Sequence, residues 1–188
     1  MSLLRAAFAV LVAVGLLAGC DTTPKKPEDC VRIDWRNEGR GTALDGRPLD
    51  AGWRRGAACQ QLGTNPDRKA YENGWAEGQA TYCTPRYLLR EGRRNDSFGP
   101  ICRGMDETTL QRAWNHGRLL YEADQRVQRL DNDLVNLRAR ADDVKLPQGD
   151  RDTARAQLSG VIAARAQAIA TRDRLESEAN ANGWGLGR

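Results

Sequence analysis

The sequence has little of what most enzymes are built around. Its 188 residues include one histidine, His116, and two methionines. None of Ser97, Ser159 and Ser177 sits in the Gly-x-Ser-x-Gly turn that exposes a nucleophile. Zinc sites want close cysteine pairs, yet Cys30, Cys59, Cys83 and Cys102 are separated by 29, 24 and 19 positions. Gly39-Arg40-Gly41 has no following apolar helix with a lysine, so it is no phosphate cradle. Asp131-Asn132-Asp133 starts like a calcium loop but has no turn glycine, and it reads as a solvated helix face. His116, with no partner acid or nucleophile in the pattern, reads as a hydrogen-bonding residue on a helix. The expectation is a chain that is no enzyme and carries no metal and no cofactor.

Charge is missing from the N-terminus. The first 20 residues contain only Arg5, and Ala6 to Leu17 is an apolar run. That run is too short to span a bilayer as a mature helix. It ends in Leu17-Ala18-Gly19-Cys20, which resembles the bacterial lipobox at the end of a signal peptide. The resemblance implies cleavage after residue 19 and a lipid on Cys20, and hence a membrane-anchored protein of the bacterial envelope facing the periplasm. Two or more acyl chains anchor a protein stably where one does not. Asp21 resembles an inner-membrane retention signal of some bacteria, which leaves inner and outer membrane open. Residues 20–29, with Pro24, Lys25, Lys26 and Pro27, read as an extended tether. Removing residues 1–19 leaves 169 residues and takes the formal charge from +4 to +3. Export argues against nucleic acid as a partner, despite the 25 arginines.

Large aliphatic residues are scarce next. From Glu28 to Met105 there are nine Leu, Ile, Val or Phe. Such a core barely offsets the entropy of ordering the chain. Six aromatics (Trp35, Trp53, Tyr71, Trp75, Tyr82, Tyr87) and the four cysteines compensate. An even number of cysteines in an oxidising compartment reads as two disulfides. An aromatic followed three residues later by Gly recurs at Trp53/Gly56, Tyr71/Gly74, Trp75/Gly78 and Trp114/Gly117. Tyr71, Gly74, Trp75, Gly78 and Tyr82 fall on one helical face, which predicts a helix from Pro66, capped by Asn65, to about Tyr82. Interior glycines cost about 1 kcal/mol each in a helix, so another backbone or a ring is expected on that face. The competing reading makes Trp53, Tyr71, Trp75 and Trp114 an exposed groove that stacks on a cell-wall glycan or peptide. A helix of ~17 residues is ~25 Å long, whereas bridged Cα atoms approach within ~7 Å, which argues against Cys59–Cys83. Of the other pairings, Cys30–Cys59 with Cys83–Cys102 closes the shorter loops.

The run Asp34-Trp35, Cys59, Pro66-Asp67, Tyr71-x-x-Gly74-Trp75-x-x-Gly78, Tyr82-Cys83-Thr84-Pro85, Gly92, Cys102 and Trp114-x-x-Gly117-x-x-x-Tyr121 resembles a family of bacterial envelope lipoproteins known only as a domain of unknown function. The resemblance covers roughly residues 30–121. It departs after Trp35, where an Asp-Gly pair is expected closer than Asp45-Gly46, and at Asn95, where Gly is usual and Asn is the next-best residue for positive φ. It implies a lipoprotein with disulfides and no catalytic residue.

Beyond the head, Leu120, Ala123, Val127, Leu130, Leu134, Leu137, Ala141 and Val144 alternate in steps of three and four, the seam of a coiled coil. Asp106 is placed to cap this helix. Lys145 to Asp150 reads as a bend. A second helix then runs to about Ala179 with Leu158, Val161, Ala168, Leu175 and Ala179 on a stripe and Arg165 and Arg172 at its edge. The short bend predicts an antiparallel hairpin in which residue i faces residue 296 − i. The expected fold is mainly α: a disulfide-stapled helical head (30–105), a helical hairpin arm (106–180) and a flexible tail (181–188) from which Trp184 reaches Trp114 and the head. The expected role is structural: the arm meets an unidentified envelope protein or a second copy of itself.

Overall fold

The computed structural model describes residues 23–185. Cys20, its tripeptide neighbours and the apolar run before them lie outside the described residues, as do residues 186–188. Among the described residues every regular element is helical. The head comprises α1 (Pro27–Val31), α2 (Trp35–Leu44), α3 (Leu49–Gly52), α4 (Arg54–Gln61), α5 (Arg68–Tyr82) and α6 (Pro85–Arg93), followed by a 3₁₀ turn at Pro100–Cys102. The arm consists of α7 (Glu107–Asp142) and α8 (Gln148–Ala181). Their 36 and 34 residues correspond to roughly 54 and 51 Å of helix.

Short polar residues start the helices. Asp34, Asp67 and Asp106 accept the backbone N–H of Asn37, Ala70 and Thr109 at 3.0, 2.8 and 3.2 Å. Thr84 Oγ1 accepts from Tyr87 N–H, and Pro85 takes the first turn, where no donor is needed. The cap of α5 is therefore Asp67 and not Asn65. A residue before proline is held extended, so Asn65-Pro66 leads into the helix without belonging to it. Pro85, three residues past the end of α5, begins α6.

The head is made of two halves, each centred on a glycine crossing. Where α2 meets α5, a Cβ on Gly39 would overlap the Tyr71 carbonyl, and one on Gly74 would overlap the Arg36 carbonyl. Where α6 meets α7, Gly92 lies on the Trp114 carbonyl and Gly117 on the Leu89 carbonyl. In both crossings each glycine rests on the carbonyl three residues before its opposite number. Backbones pack directly, which explains glycines that would otherwise weaken four helices. Each half also holds one disulfide. Cys30–Cys59 belongs to the core of Trp35, Trp53 and Tyr71, and Cys83–Cys102 to that of Ala43, Tyr82, Leu88, Ile101 and Leu110.

The arm follows the heptads with two changes. Leu120, Ala123, Val127, Leu134, Leu137 and Ala141 are buried, while Leu130 is half-buried at the level of Arg165. Val144 is 81% exposed and lies past the helix end, because Asp143 is extended and its carboxylate accepts the Lys145 N–H. The bend is shorter than expected, since α8 starts at Gln148 behind Pro147. The expected register is observed: Asp131 pairs with Arg165, and Arg155 donates to the Ala141 carbonyl at 3.0 Å, both matching 296 − i. Asp131 is thus not merely a solvated residue. It also forms an ion pair with Arg165 across the hairpin, while the buried seam sets the register.

The boundary between head and arm is not at residue 106, since the first turns of α7 complete the head through the Gly92–Gly117 crossing. Nor does the segment after α8 hang free. Trp184 packs on Leu89, Leu120, Leu175 and Ala179, and its ring meets the His116 ring edge-on at 6.2 Å. The Gly185 carbonyl accepts from Arg86 Nε at 2.9 Å.

Candidate functional site

The aromatic residues singled out from the sequence do not form one surface. Trp53 and Tyr71 are in the first half of the head, with ring centroids 4.8 Å apart, and Trp53 lies 5.2 Å from Trp35. Tyr71 is fully buried and Trp53 is 9% exposed. Trp75 and Trp114 are half-buried against the other core. Nor are their polar atoms available. Tyr71 Oη donates to the Leu49 carbonyl at 3.2 Å, Trp75 Nε1 to the Arg47 carbonyl at 3.0 Å, and Trp114 Nε1 to the Asp96 carbonyl at 3.0 Å. Tyr82 Oη accepts the Gly99 N–H at 2.8 Å, and Tyr87 Oη donates to the Leu44 carbonyl at 3.1 Å. Burial pushes the Tyr71 and Tyr82 hydroxyls above the usual tyrosine value. Tyr71 and Tyr87 tie one helix to another, and Trp75, Tyr82 and Trp114 tie a helix to a loop. A sugar stacks on an open ring face, and Trp53 and Tyr71 offer none.

The four cysteines are closed as Cys30–Cys59 and Cys83–Cys102, with Cα atoms 5.7 and 5.5 Å apart. That removes their thiolates from any metal-binding or nucleophilic role. Asn95 adopts φ 64°, the conformation expected where Gly is usual. Beside it, Glu91 is buried and receives two bonds from Arg94, at 2.8 and 3.0 Å. Loss of water raises its carboxyl above the ordinary range, against the pull of Arg94. Arg94 also holds Asp96, so the three side chains fix the loop between α6 and the 3₁₀ turn. His116 Nε2 lies 2.7 Å from the Leu175 carbonyl and therefore donates to it, tying α7 to α8.

Several groups escaped the sequence reading. Arg93 of α6 reaches both Asp124 on α7 and Glu176 on α8, at 3.1 and 2.9 Å. This joint connects the root of the arm to the head, and no local pattern announces it, because its members are 31 and 83 positions apart. A crevice of about 670 Å³ opens at the joint over Leu89, Leu120 and Ala179, rimmed by these charges. The outer half of the arm carries a second groove, of about 620 Å³, lined by Leu137, Val161, Ala156 and Gly160. Leu119, Val135 and Ile162 are large apolar residues that α7 and α8 leave exposed to solvent. Among the described residues, α7 and α8 beyond the joint pack mainly on each other.

Residues 34–119 match the model of a family described as a protein of unknown function (DUF2799), a span that takes in the head and the first turns of α7. No curated protein and no solved structure matches the chain.

Proposed function

We propose that this chain is a lipid-anchored protein of the bacterial cell envelope that acts as a non-enzymatic interaction module through its helical arm. The observation that carries the reading is the division of labour in the fold. The head uses its aromatic hydroxyls, indole N–H groups and cysteines to hold itself together, while among the described residues the helices of the outer arm pack mainly on each other. An element of ~50 Å that the fold does not need for its own core is suited to reaching another molecule. The lipobox-like Leu17-Ala18-Gly19-Cys20 supplies the anchor, and the residues that lead from it enter the head at Cys30. The anchor attaches the head to the membrane, and the arm extends from the head.

Metabolic labelling with a clickable palmitate in the producing cell tests the anchor. The wild type takes the label and Cys20→Ala does not, with the variant accumulating as precursor. Equal labelling of both proteins overturns the anchor reading.

A further inference from the structure

On the outer arm, the groove lined by Leu137, Val161, Ala156 and Gly160 is rimmed by Asp133 and Arg140. Both rim residues are exposed, and neither has an ion pair or side-chain hydrogen bond among the described residues. We propose that this groove docks a second copy of the same arm, antiparallel to the first, about a two-fold axis level with Asn136 and Leu137. The proposal rests on the arm being the interaction element and specifies its partner.

Three features select a second copy. The first is charge. Asp133 and Arg140 are one heptad apart on α7, roughly 10 Å, on either side of the proposed axis. A two-fold rotation sets Asp133 of each copy beside Arg140 of the other, so two unpaired residues become two ion pairs. A self-complementary patch of this kind defines an isologous interface.

The second feature is register. The Asp131–Arg165 and Arg155–Ala141 bonds place Ser159 and Gly160 of α8 level with Asn136 and Leu137 of α7. The same axis therefore brings the two α8 helices together at Ser159 and Gly160, both of which line the groove. Gly160 lies in the middle of a 34-residue helix, and a Cβ there would meet nothing within 4 Å. The four glycines at the head's two crossings lie on another helix's backbone, whereas Gly160 has no such neighbour in its own chain. A second copy supplies one.

The third is the absence of repulsion. From Ala156 to Thr171 the helix has one charged residue, Arg165, and Asp131 already holds it. The resulting particle is a four-helix overlap near the arm tips with the heads at opposite ends.

Analytical ultracentrifugation of residues 23–188, which carry the whole described fold, tests this. A concentration-dependent dimer of elongated shape is expected. Asp133→Arg and Arg140→Asp should each weaken it about tenfold or more, because like charges then meet at the axis. The double variant Asp133→Arg/Arg140→Asp should restore it. Gly160→Leu should abolish the dimer while leaving the monomer folded and more helical, since the new side chain points into open space. A chain that stays monomeric at every concentration overturns the proposal. So does a dimer that Asp133→Arg and Gly160→Leu leave unchanged. The measurement uses unlipidated protein, so its failure is separate from failure of the palmitate test.

Discussion

Alanine at Gly39 and at Gly41, two positions apart in α2, should move stability in opposite directions. In a helix, Gly→Ala alone is worth up to about 1 kcal/mol in favour of Ala. At Gly41 nothing lies within 4 Å of the added carbon, so this gain is kept. At Gly39 the carbon would overlap the Tyr71 carbonyl and crowd the Trp75 backbone nitrogen at 3.0 Å. Both obstacles are α5 backbone, which has no rotamer to turn away. The helices must separate, and the reciprocal seat of Gly74 on Arg36 opens with them. Overpacking of this kind costs about 1–3 kcal/mol and more against rigid groups. The expected net loss for Gly39→Ala is about 2 kcal/mol after the propensity gain. For a chain of this size, melting should fall by roughly 4–8 °C in Gly39→Ala and rise by roughly 2–4 °C in Gly41→Ala. Thermal and urea unfolding followed by circular dichroism would read both. A Gly39→Ala protein as stable as the wild type would refute the claim that backbone contact sets the approach of α2 and α5.

Three further expectations follow from the packing. Glu91, whose folded carboxyl titrates above its unfolded value, binds its proton more readily when folded. Stability should therefore decline as pH rises from the ordinary glutamate range through the raised value, with a slope of at most about 1.4 kcal/mol per pH unit. Glu91→Gln should remove that slope in paired urea melts, and identical slopes would refute the assignment. Replacing Cys83 and Cys102 together by Ser should cost about 3 kcal/mol, the loop-closure value for a separation of 19, and leave Cys30–Cys59 intact in peptide maps. Leu130→Asp with Leu137→Asp should unravel the outer arm, seen as a large loss of helical signal, while Trp fluorescence from the head persists. A joint collapse of both signals would mean that arm and head fold as one unit.

Periodic and covalent features were legible in the sequence, and packing partners were not. The heptads of α7 and the proline-bearing bend gave the hairpin and its 296 − i register, because a seam is a local pattern that needs only a partner of the same kind. Loop length selected Cys30–Cys59 and Cys83–Cys102. Tyr71, Gly74 and Gly78 predicted close approach on α5, although not that α2 supplies the other backbone. The helix from Pro85 to Arg93 does carry local signals, a Thr84 cap, a proline in the first turn and leucines on one face, but its nine residues are short and Gly92 interrupts them near the end. Arg93 clamps α7 and α8 from a third helix, and Glu91 is buried by tertiary contacts. Neither has a signature within a window of sequence. Gly and Asn content alone predicts a loose tail, but Trp184 outweighs that composition by packing a large ring on the arm's root.

The Cys30–Cys59 bond also has a mechanical consequence. Residues 27–29, expected to be part of an extended tether, belong to α1, so whatever holds the N-terminus, a pull on it reaches Cys30 through that helix and passes through the sulfur bridge into α4 at Cys59. Residues 31–58 lie in a closed covalent loop outside that load path. They include α2, and the crossing with α5 sits behind the bridge. Force therefore cannot peel the head from its first residue. It must act on a fold that is entered part-way along, with nearly 100 Å of chain withheld from extension for as long as the bond is intact.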